Sequence, residues 1–286
     1  MPARDYPQFT NVTFHARFLR PGQVTEPYTE CTYSLVEKLI IESHDQILHN
    51  VELMVPYRDR LLELAQAARS STDTEARFEG EFSNWDACLL YSLIRHHKPK
   101  KFIETGSGSS TRFIRQAITD GNLDTQLIVV DPLIKNAFAQ TLPDLIILEH
   151  FEDVWDDPRL KLEPGDMFFY DGCHFAIPGS DLVRFCLEYV PRLPDGVWLH
   201  FHDVFPPGDG PTRCRKAMIF GEAYLAYMML LYGKFELECS IWALRAGLQN
   251  ELSKKAAEIF PPFPKETGVL QYGGSFWVRT RRQDDC

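Results

Sequence analysis

The chain has 286 residues, 30 Lys and Arg against 40 Asp and Glu, and therefore a formal charge of −10. A hydrophobic fraction of 44% excludes wholesale disorder, and the negative balance argues against nucleic acid, whose phosphates need a basic footprint. Seven irregularly spaced cysteines without a CxxC pair indicate a reduced protein. The first residues lack the apolar core of a signal peptide, and the longest apolar run, Ala223–Tyr232, is too short to span a membrane. We therefore expect a cytoplasmic protein with neither nucleic-acid nor membrane partners.

The pattern of apolar and polar residues changes near residue 80. Before that point the pattern predicts two helices, Tyr28–Asn50 and Tyr57–Ala68, each with a narrow apolar face. Neither helix has enough apolar surface to form a core alone. We expect residues 1–80 to form a helical cap on a larger domain that comprises residues 81–286.

After residue 80, short apolar strands alternate with amphipathic helices, which is typical of a mostly parallel α/β sheet. A helix should begin at Ser83, with Asp86 completing a capping box. The predicted strands are Phe102–Glu104, Leu127–Asp131, Leu145–Leu148, Met167–Tyr170, Val197–Phe201, Phe235–Cys239 and Ser275–Arg279. Further predicted helices are Ser180–Val190, Ala217–Tyr232 and Leu252–Ile259. The helix Ala217–Tyr232 is apolar almost all round, which suits core, a pocket roof or a homodimer seam.

A glycine loop follows the first predicted strand. Gly106 and Gly108 let a ligand approach the backbone, and a new helix begins directly afterwards. Thr111 stands where a dinucleotide fingerprint has its third glycine, and the Gly-Lys-Ser/Thr of a P-loop is absent. Glu104 would repel a pyrophosphate but suits a ligand that carries ammonium and sulfonium charges.

Glu-Thr-Gly-Ser-Gly-Ser-Ser-Thr, at 104–111, resembles the first motif of class I S-adenosylmethionine-dependent methyltransferases. The stretch from Phe82 to Arg279 resembles methyltransferase domain type 24, through the segments 86–95, 166–174, 196–205 and 275–279 together with the loop. The resemblance implies a Rossmann-like, seven-stranded, mostly parallel sheet with helices on both faces. It also implies S-adenosylmethionine as cofactor. The implied cofactor-binding residues are Glu104, Gly106, Ser107, Gly108 and Ser110 around the methionine and ribose, Asp131 on the ribose hydroxyls, Phe151 with Glu152 near the adenine, and Asp171 at the transferable methyl group.

Titratable residues follow two predicted strands near that methyl group. Asp171 with His174, and His202 with Asp203, are the candidate catalytic residues. A histidine has an ordinary pKa near 6.5 and can act as a general base, and we favour His202 because it lies closest to its strand end. A divalent metal held by Asp171 and Asp203, as in catechol-type O-methyltransferases, is the less favoured alternative, because Val204 replaces the usual Asn.

The resemblance implies O-methylation of a small-molecule substrate, in specialised or saccharide metabolism. Two alternatives stay open. The chain could transfer or cyclise the aminobutyryl part of the same cofactor and release methylthioadenosine, or it could be a non-catalytic module that only binds the cofactor.

Overall fold

A computed structural model describes residues 32–70, 82, 84–134, 140–210, 221–244, 258 and 273–281. Its centre is one seven-stranded sheet in the order β3-β2-β1-β4-β5-β7-β6. The strands are β1 Lys101–Thr105, β2 Gln126–Val130, β3 Leu145–Ile147, β4 Met167–Tyr170, β5 Trp198–Phe201, β6 Phe235–Ser240 and β7 Phe276–Thr280. Strands β1 to β5 pair in parallel, and β7 is antiparallel to both β5 and β6. The predicted seven-stranded, mostly parallel α/β fold is confirmed.

Helices surround this sheet. They are α1 Ser34–Glu42, α2 His44–Glu52, α3 Arg58–Ser70, α4 Asn84–His97, α5 Ser109–Gly121, α6 Phe151–Val154, α7 Asp181–Arg184 and α8 Gly221–Leu231. A π-helical turn, Phe185–Tyr189, prolongs α7 over the span predicted as one α-helix, and its inward face is buried as expected. The predicted helix Leu252–Ile259 lies outside the described residues except for Glu258.

The prediction of a single helix over Tyr28–Asn50 is wrong. Within the described part of that range, α1 and α2 are separated at Ser43, whose ψ of 7° leaves the helical region. The two halves pack on different elements, α1 on α8 and α2 on β6, so each must take its own direction. Ser83 also lies outside the described residues, and the Asp86 carboxylate accepts hydrogen bonds from the amides of Gly274 and Ser275 just before β7.

The N-terminal helices are joined to the rest of the fold by polar contacts as well as by apolar packing. Asn50 in α2 donates to the Glu238 carboxylate in β6 at 2.8 Å. Arg60 in α3 lies 2.8 Å from Asp120 at the end of α5. Apolar residues of all three helices belong to the same core as the strands. None of the described helices is both long and apolar enough to cross a membrane.

Strand register brings the predicted site residues into a row. Thr105 at the end of β1 pairs with Val130 of β2 and Tyr170 of β4, and Tyr170 pairs with Phe201 of β5. The residues that follow these four strand ends therefore emerge side by side at the carboxyl edge of the sheet, where open α/β sheets bind ligands. They are Gly106, Asp131, Asp171 and His202.

Candidate active site at the carboxyl edge of the sheet

The two glycines of the loop after β1 are needed for different structural reasons. Gly106 has a φ of +77°, and a Cβ added there would lie 1.9 Å from the carbonyl oxygen of Asp171. Gly106 is therefore required by the close approach of the β1 and β4 ends, which brings the glycine loop against the backbone of Asp171. A Cβ added at Gly108 would meet no atom within 4 Å. Only Gly108 borders open space of the kind that a ligand could use.

Glu104, in β1 just before the glycine loop, is completely buried, with 0% of its surface exposed. Its carboxylate accepts hydrogen bonds from the Ser110 hydroxyl at 2.5 Å and the Thr111 hydroxyl at 2.7 Å. Burial raises the pKa of Glu104 to about 8, against the opposing effect of these two donors and with a smaller contribution from the charges of Asp171 and Asp131. At neutral pH this group holds a proton that a nearby cation would displace.

Thr111 was singled out only because it is not a glycine. In the structure it is fully buried, donates to Glu104 and accepts a hydrogen bond from the Gly108 amide at 3.1 Å. The hydroxyl therefore links the start of α5 to the buried carboxylate. The missing third glycine is thus replaced by a residue that fixes the loop.

Asp131, after β2, is engaged by the same loop. One carboxylate oxygen accepts hydrogen bonds from the Ser107 amide at 2.9 Å and the Ser107 hydroxyl at 2.6 Å. The other oxygen accepts from the Leu133 amide at 2.8 Å. A carboxylate offers about four acceptor positions, so bidentate binding of a ribose would require the Ser107 hydroxyl to turn away. The ribose role of Asp131 stays a prediction.

The residues predicted near the adenine lie after β3. Phe151 is only 3% exposed and packs edge-to-face on Phe168, Phe185 and Tyr189, so it is part of the aromatic core. Glu152 lies 3.9 Å from the His150 ring nitrogen. Their contact with an adenine stays a prediction.

Beyond β4 and β5, all four predicted catalytic residues converge. The His202 Nδ1 lies 3.9 Å from an Asp171 oxygen and 3.6 Å from an Asp203 oxygen. The His174 Nε2 lies 3.8 Å from the other Asp203 oxygen. We call these four residues, His174, His202, Asp171 and Asp203, the strand-end cluster.

Negative neighbours control the charge of both histidines. Burial lowers the pKa of His202, but Asp171 and Asp203 outweigh it and raise that pKa to about 10. The pKa of His174 is likewise lowered by burial and raised by neighbouring carboxylates, with a net result of about 9. Both imidazoles are therefore cationic at neutral pH in the ligand-free protein.

A metal ion fits this arrangement poorly. The His202 Nδ1 lies within 4 Å of an oxygen of each carboxylate that would hold the ion, so an imidazole nitrogen already lies close to both of them. Among the described residues, no three His, Cys, Asp or Glu side chains are arranged to hold a metal.

His200, two residues before His202 on β5, is a core residue as the strand position suggests. It is fully buried, stacks on Phe169 at 3.8 Å and lies 2.9 Å from the Ser275 hydroxyl. Burial keeps its pKa well below the ordinary value, so His200 is neutral.

Glu222 is the residue of the site that sequence reasoning missed. It lies in the first turn of α8, is 1% exposed, and its Oε1 is 2.7 Å from the His174 Nδ1. The one available signal was a single carboxylate in a helix that is otherwise apolar almost all round. An unpaired buried carboxylate is costly, so such a residue calls for a partner.

Comparison with known proteins finds a methyltransferase domain in the part of the chain that forms this site. Residues 103–204 match a family described as a methyltransferase domain, Methyltransf_24. This segment runs from β1 to the residue after Asp203, and so contains the glycine loop, Asp131 and the whole strand-end cluster. No curated protein matches the chain significantly.

Solved structures of methyltransferases are also similar to the chain. The O-methyltransferase TomG from Streptomyces achromogenes, involved in tomaymycin synthesis, is 16% identical, with 77% of this chain and 88% of that chain covered and a TM-score of 0.42. An O-methyltransferase from Bacillus cereus is 12% identical, with 79% and 91% covered and a TM-score of 0.41. A putative methyltransferase from Thermobifida fusca is 16% identical, with 82% and 95% covered and a TM-score of 0.42.

The sheet order, the acidic glycine loop and the match of residues 103–204 to a methyltransferase domain together indicate an S-adenosylmethionine-dependent methyltransferase of class I. Within that class, residues 103–204 are similar to the type 24 methyltransferase domain.

Proposed function

We propose that the protein transfers the methyl group of S-adenosylmethionine to an oxygen atom of a small molecule. The resemblance stated above favours an acceptor from specialised or saccharide metabolism. The observation that carries the proposal is the contact of Gly106 with the Asp171 carbonyl, because the glycine loop therefore lies directly beside the strand-end cluster. A cofactor on the loop would thus present its methyl group to two imidazoles and two carboxylates.

The methionine end of the cofactor would lie near Glu104 and Ser110, and the cofactor would run past the open side of Gly108. Ser107 and Asp131 would receive the ribose, and Glu152 would lie near the adenine. Asp171 would face the reacting centre. S-adenosylmethionine supplies an electrophilic methyl group on a positively charged sulfur, and the buried carboxylate of Glu104 suits the ammonium group of the same molecule.

The strand-end cluster would bind the acceptor and manage its proton. An oxygen nucleophile must lose a proton during transfer, and a side chain within hydrogen-bond reach can accept it. A cationic His202 can instead donate a hydrogen bond that stabilises negative charge on the acceptor oxygen. The rings of Phe82 and Phe169 pack against His202 and shield that residue from water, and a bound acceptor would cover the more exposed members of the cluster.

The test is product analysis after incubation with methyl-deuterated S-adenosylmethionine and a panel of phenols and saccharides. We expect S-adenosylhomocysteine together with one acceptor that has gained a labelled methyl group. Methylthioadenosine instead would identify aminobutyryl chemistry, and calorimetric binding without any product would identify a binding module; either result would overturn the proposal.

The role of His202 is tested separately. Replacing His202 with Ala should slow single-turnover methyl transfer while leaving cofactor affinity within about threefold. The matched control is His97→Ala, which removes a half-buried histidine whose ring packs at a tilt against Trp198, away from the carboxyl ends of the strands. Unchanged turnover in the His202 variant would remove that residue from the mechanism.

A further inference from the structure

We infer that Glu222 is a positioning residue that holds His174 in the orientation and tautomer needed to take up the acceptor proton. The inference rests on the proposed function for its chemical meaning. It gives the base role to His174 and leaves His202 as a hydrogen-bond donor to the acceptor.

The first turn of α8 attaches to His174 at two points. The Gly221 amide donates to the His174 carbonyl oxygen at 2.8 Å, and the next residue, Glu222, lies 2.7 Å from the His174 Nδ1. A Cβ added at Gly221 would lie 2.9 Å from both the amide nitrogen and the Cβ of Ala176, so the helix can approach this closely only with a glycine. Backbone and side chain of His174 are thus held by consecutive residues of a single helix.

The other side of the His174 segment is also held. The Tyr170 hydroxyl donates to the Cys173 carbonyl oxygen at 3.1 Å, and the Cys173 amide donates to the Asp181 carboxylate at 3.0 Å. A Cβ at Gly172 would lie 2.1 Å from that carboxylate. The turn between β4 and His174 is therefore fixed from both flanks, as a catalytic group requires.

Exposure separates the two histidines of the cluster. The His174 side chain is 27% exposed, whereas the His202 side chain is 7% exposed and has its Nδ1 between two carboxylates. In this proposal the Glu222 carboxylate accepts the Nδ1 proton of His174 across the 2.7 Å contact, and so directs the lone pair of the neutral ring to Nε2. That nitrogen is the one that lies toward Asp203 and the strand ends.

The proton and electron balance is complete without another reactant. The acceptor oxygen forms a bond to the methyl carbon, the carbon–sulfur bond breaks with its electron pair passing to sulfur, and the acceptor proton passes to His174 Nε2. The products are the methylated acceptor, S-adenosylhomocysteine and an imidazolium that remains paired with the Glu222 carboxylate.

Three carboxylates face His174 from separate elements: Glu222 from α8, Asp171 after β4 and Asp203 after β5. Together they outweigh burial and raise its pKa to about 9. Because the neutral ring is the base, turnover should rise with pH until this group is deprotonated. The positive sulfur of a bound cofactor would disfavour the imidazolium and so lower the pH at which turnover stops rising.

The test is a pH titration of the whole protein labelled with ¹⁵N-histidine, followed by long-range ¹H–¹⁵N NMR, which reports the pKa and tautomer of each ring. In the unmodified protein we expect His174 to titrate near pH 9 and to be neutral above it with its proton on Nδ1. In Glu222→Gln the pKa should fall toward 6.5, and the Nδ1–H preference should weaken. The matched control is Glu238→Gln, which removes another carboxylate that is 1% exposed but pairs with Asn50 and Arg279.

With an acceptor in hand, Glu222→Gln should lower kcat by about tenfold to a hundredfold and move the acid limb of the pH profile downward, with KM for the cofactor unchanged. A His174 titration near 6.5 in the unmodified protein, or equal shifts in both variants, would overturn the inference. The first of these outcomes can be read even if Glu222→Gln does not fold. Calorimetry without binding of S-adenosylmethionine would instead overturn the proposed function, and would leave the NMR result intact.

Discussion

Binding of S-adenosylmethionine should release a proton from Glu104. The carboxyl group is completely buried and its pKa is raised from the model-peptide range to about 8, so about nine in ten molecules are protonated at pH 7. If the ammonium group of the cofactor binds there, it favours the carboxylate and expels that proton. The structure thus predicts release of about 0.9 proton per cofactor at pH 7.

The direction of the pH dependence follows from the same linkage. The ligand prefers the deprotonated group, so affinity should rise by up to about tenfold per pH unit as the pH approaches 8. Above that pH the α-amino group of the cofactor begins to lose its own proton, with an ordinary pKa of about 8. The measurement therefore belongs between about pH 5.5 and 7.5, where the amino group stays charged.

The assay is titration calorimetry in buffers of different ionisation enthalpy, which counts the protons released. Glu104→Gln is the essential variant, because it keeps the shape of the side chain and one acceptor oxygen without a titrating group. It should bind more weakly at pH 7.5 and release about 0.9 proton less at pH 7. His174 and His202 can also release protons near a sulfonium charge, and only the difference between the two proteins isolates Glu104. Equal proton release by both proteins would refute the reasoning.

Three further perturbations test separate parts of the site and fold. Gly106→Ala should lower the free energy of unfolding in urea by about 2–5 kcal/mol, because the added Cβ would meet the Asp171 carbonyl at a positive φ. Gly108→Ala should lower it by less than about 1 kcal/mol and mainly weaken cofactor binding. Equal losses of stability in the two variants would contradict this expectation. Asp120→Asn should cost about 1–3 kcal/mol in the same measurement, since the carboxylate accepts from three side chains of α3, α4 and α5. Removal of divalent ions by a chelator should leave methyl transfer unchanged, because an imidazole already lies between Asp171 and Asp203, and activity restored only by added Mg²⁺ would contradict this.

The sheet could be predicted because its strands are buried on both faces. Leu127–Asp131 and Met167–Tyr170 are continuous apolar runs, and the observed strands agree with them to within one residue. The first helical region was harder, because the apolar pattern continues across Ser43 while the packing partner changes from α8 to β6. A change of partner leaves no mark in hydrophobic periodicity.

Some residues of the site could likewise be predicted from the sequence, and others could not. Parallel strands bring their carboxyl ends to one edge, so the positions of Asp131, Asp171 and His202 follow from strand assignments alone. The contact between His174 and Glu222 joins residues 48 positions apart through a helix that is apolar on every side, and its register on the sheet has no periodic signal. Phe151 illustrates the reverse problem, since a pocket wall and a core aromatic have the same sequence signature.

Charge balance at the sheet edge explains why this loop suits a cation and not a pyrophosphate. Within the strand-end cluster, the imidazolium groups of His174 and His202 offset the neighbouring carboxylates. Burial and the negative charges of Asp171 and Asp131 raise the pKa of Glu104, so its ionised form is disfavoured until a cation binds nearby. A pyrophosphate would add negative charge beside Asp131 and Glu104 and would leave that cost in place. A cofactor with an ammonium and a sulfonium group removes it, so binding affinity and the ionisation of Glu104 are coupled through one buried carboxylate.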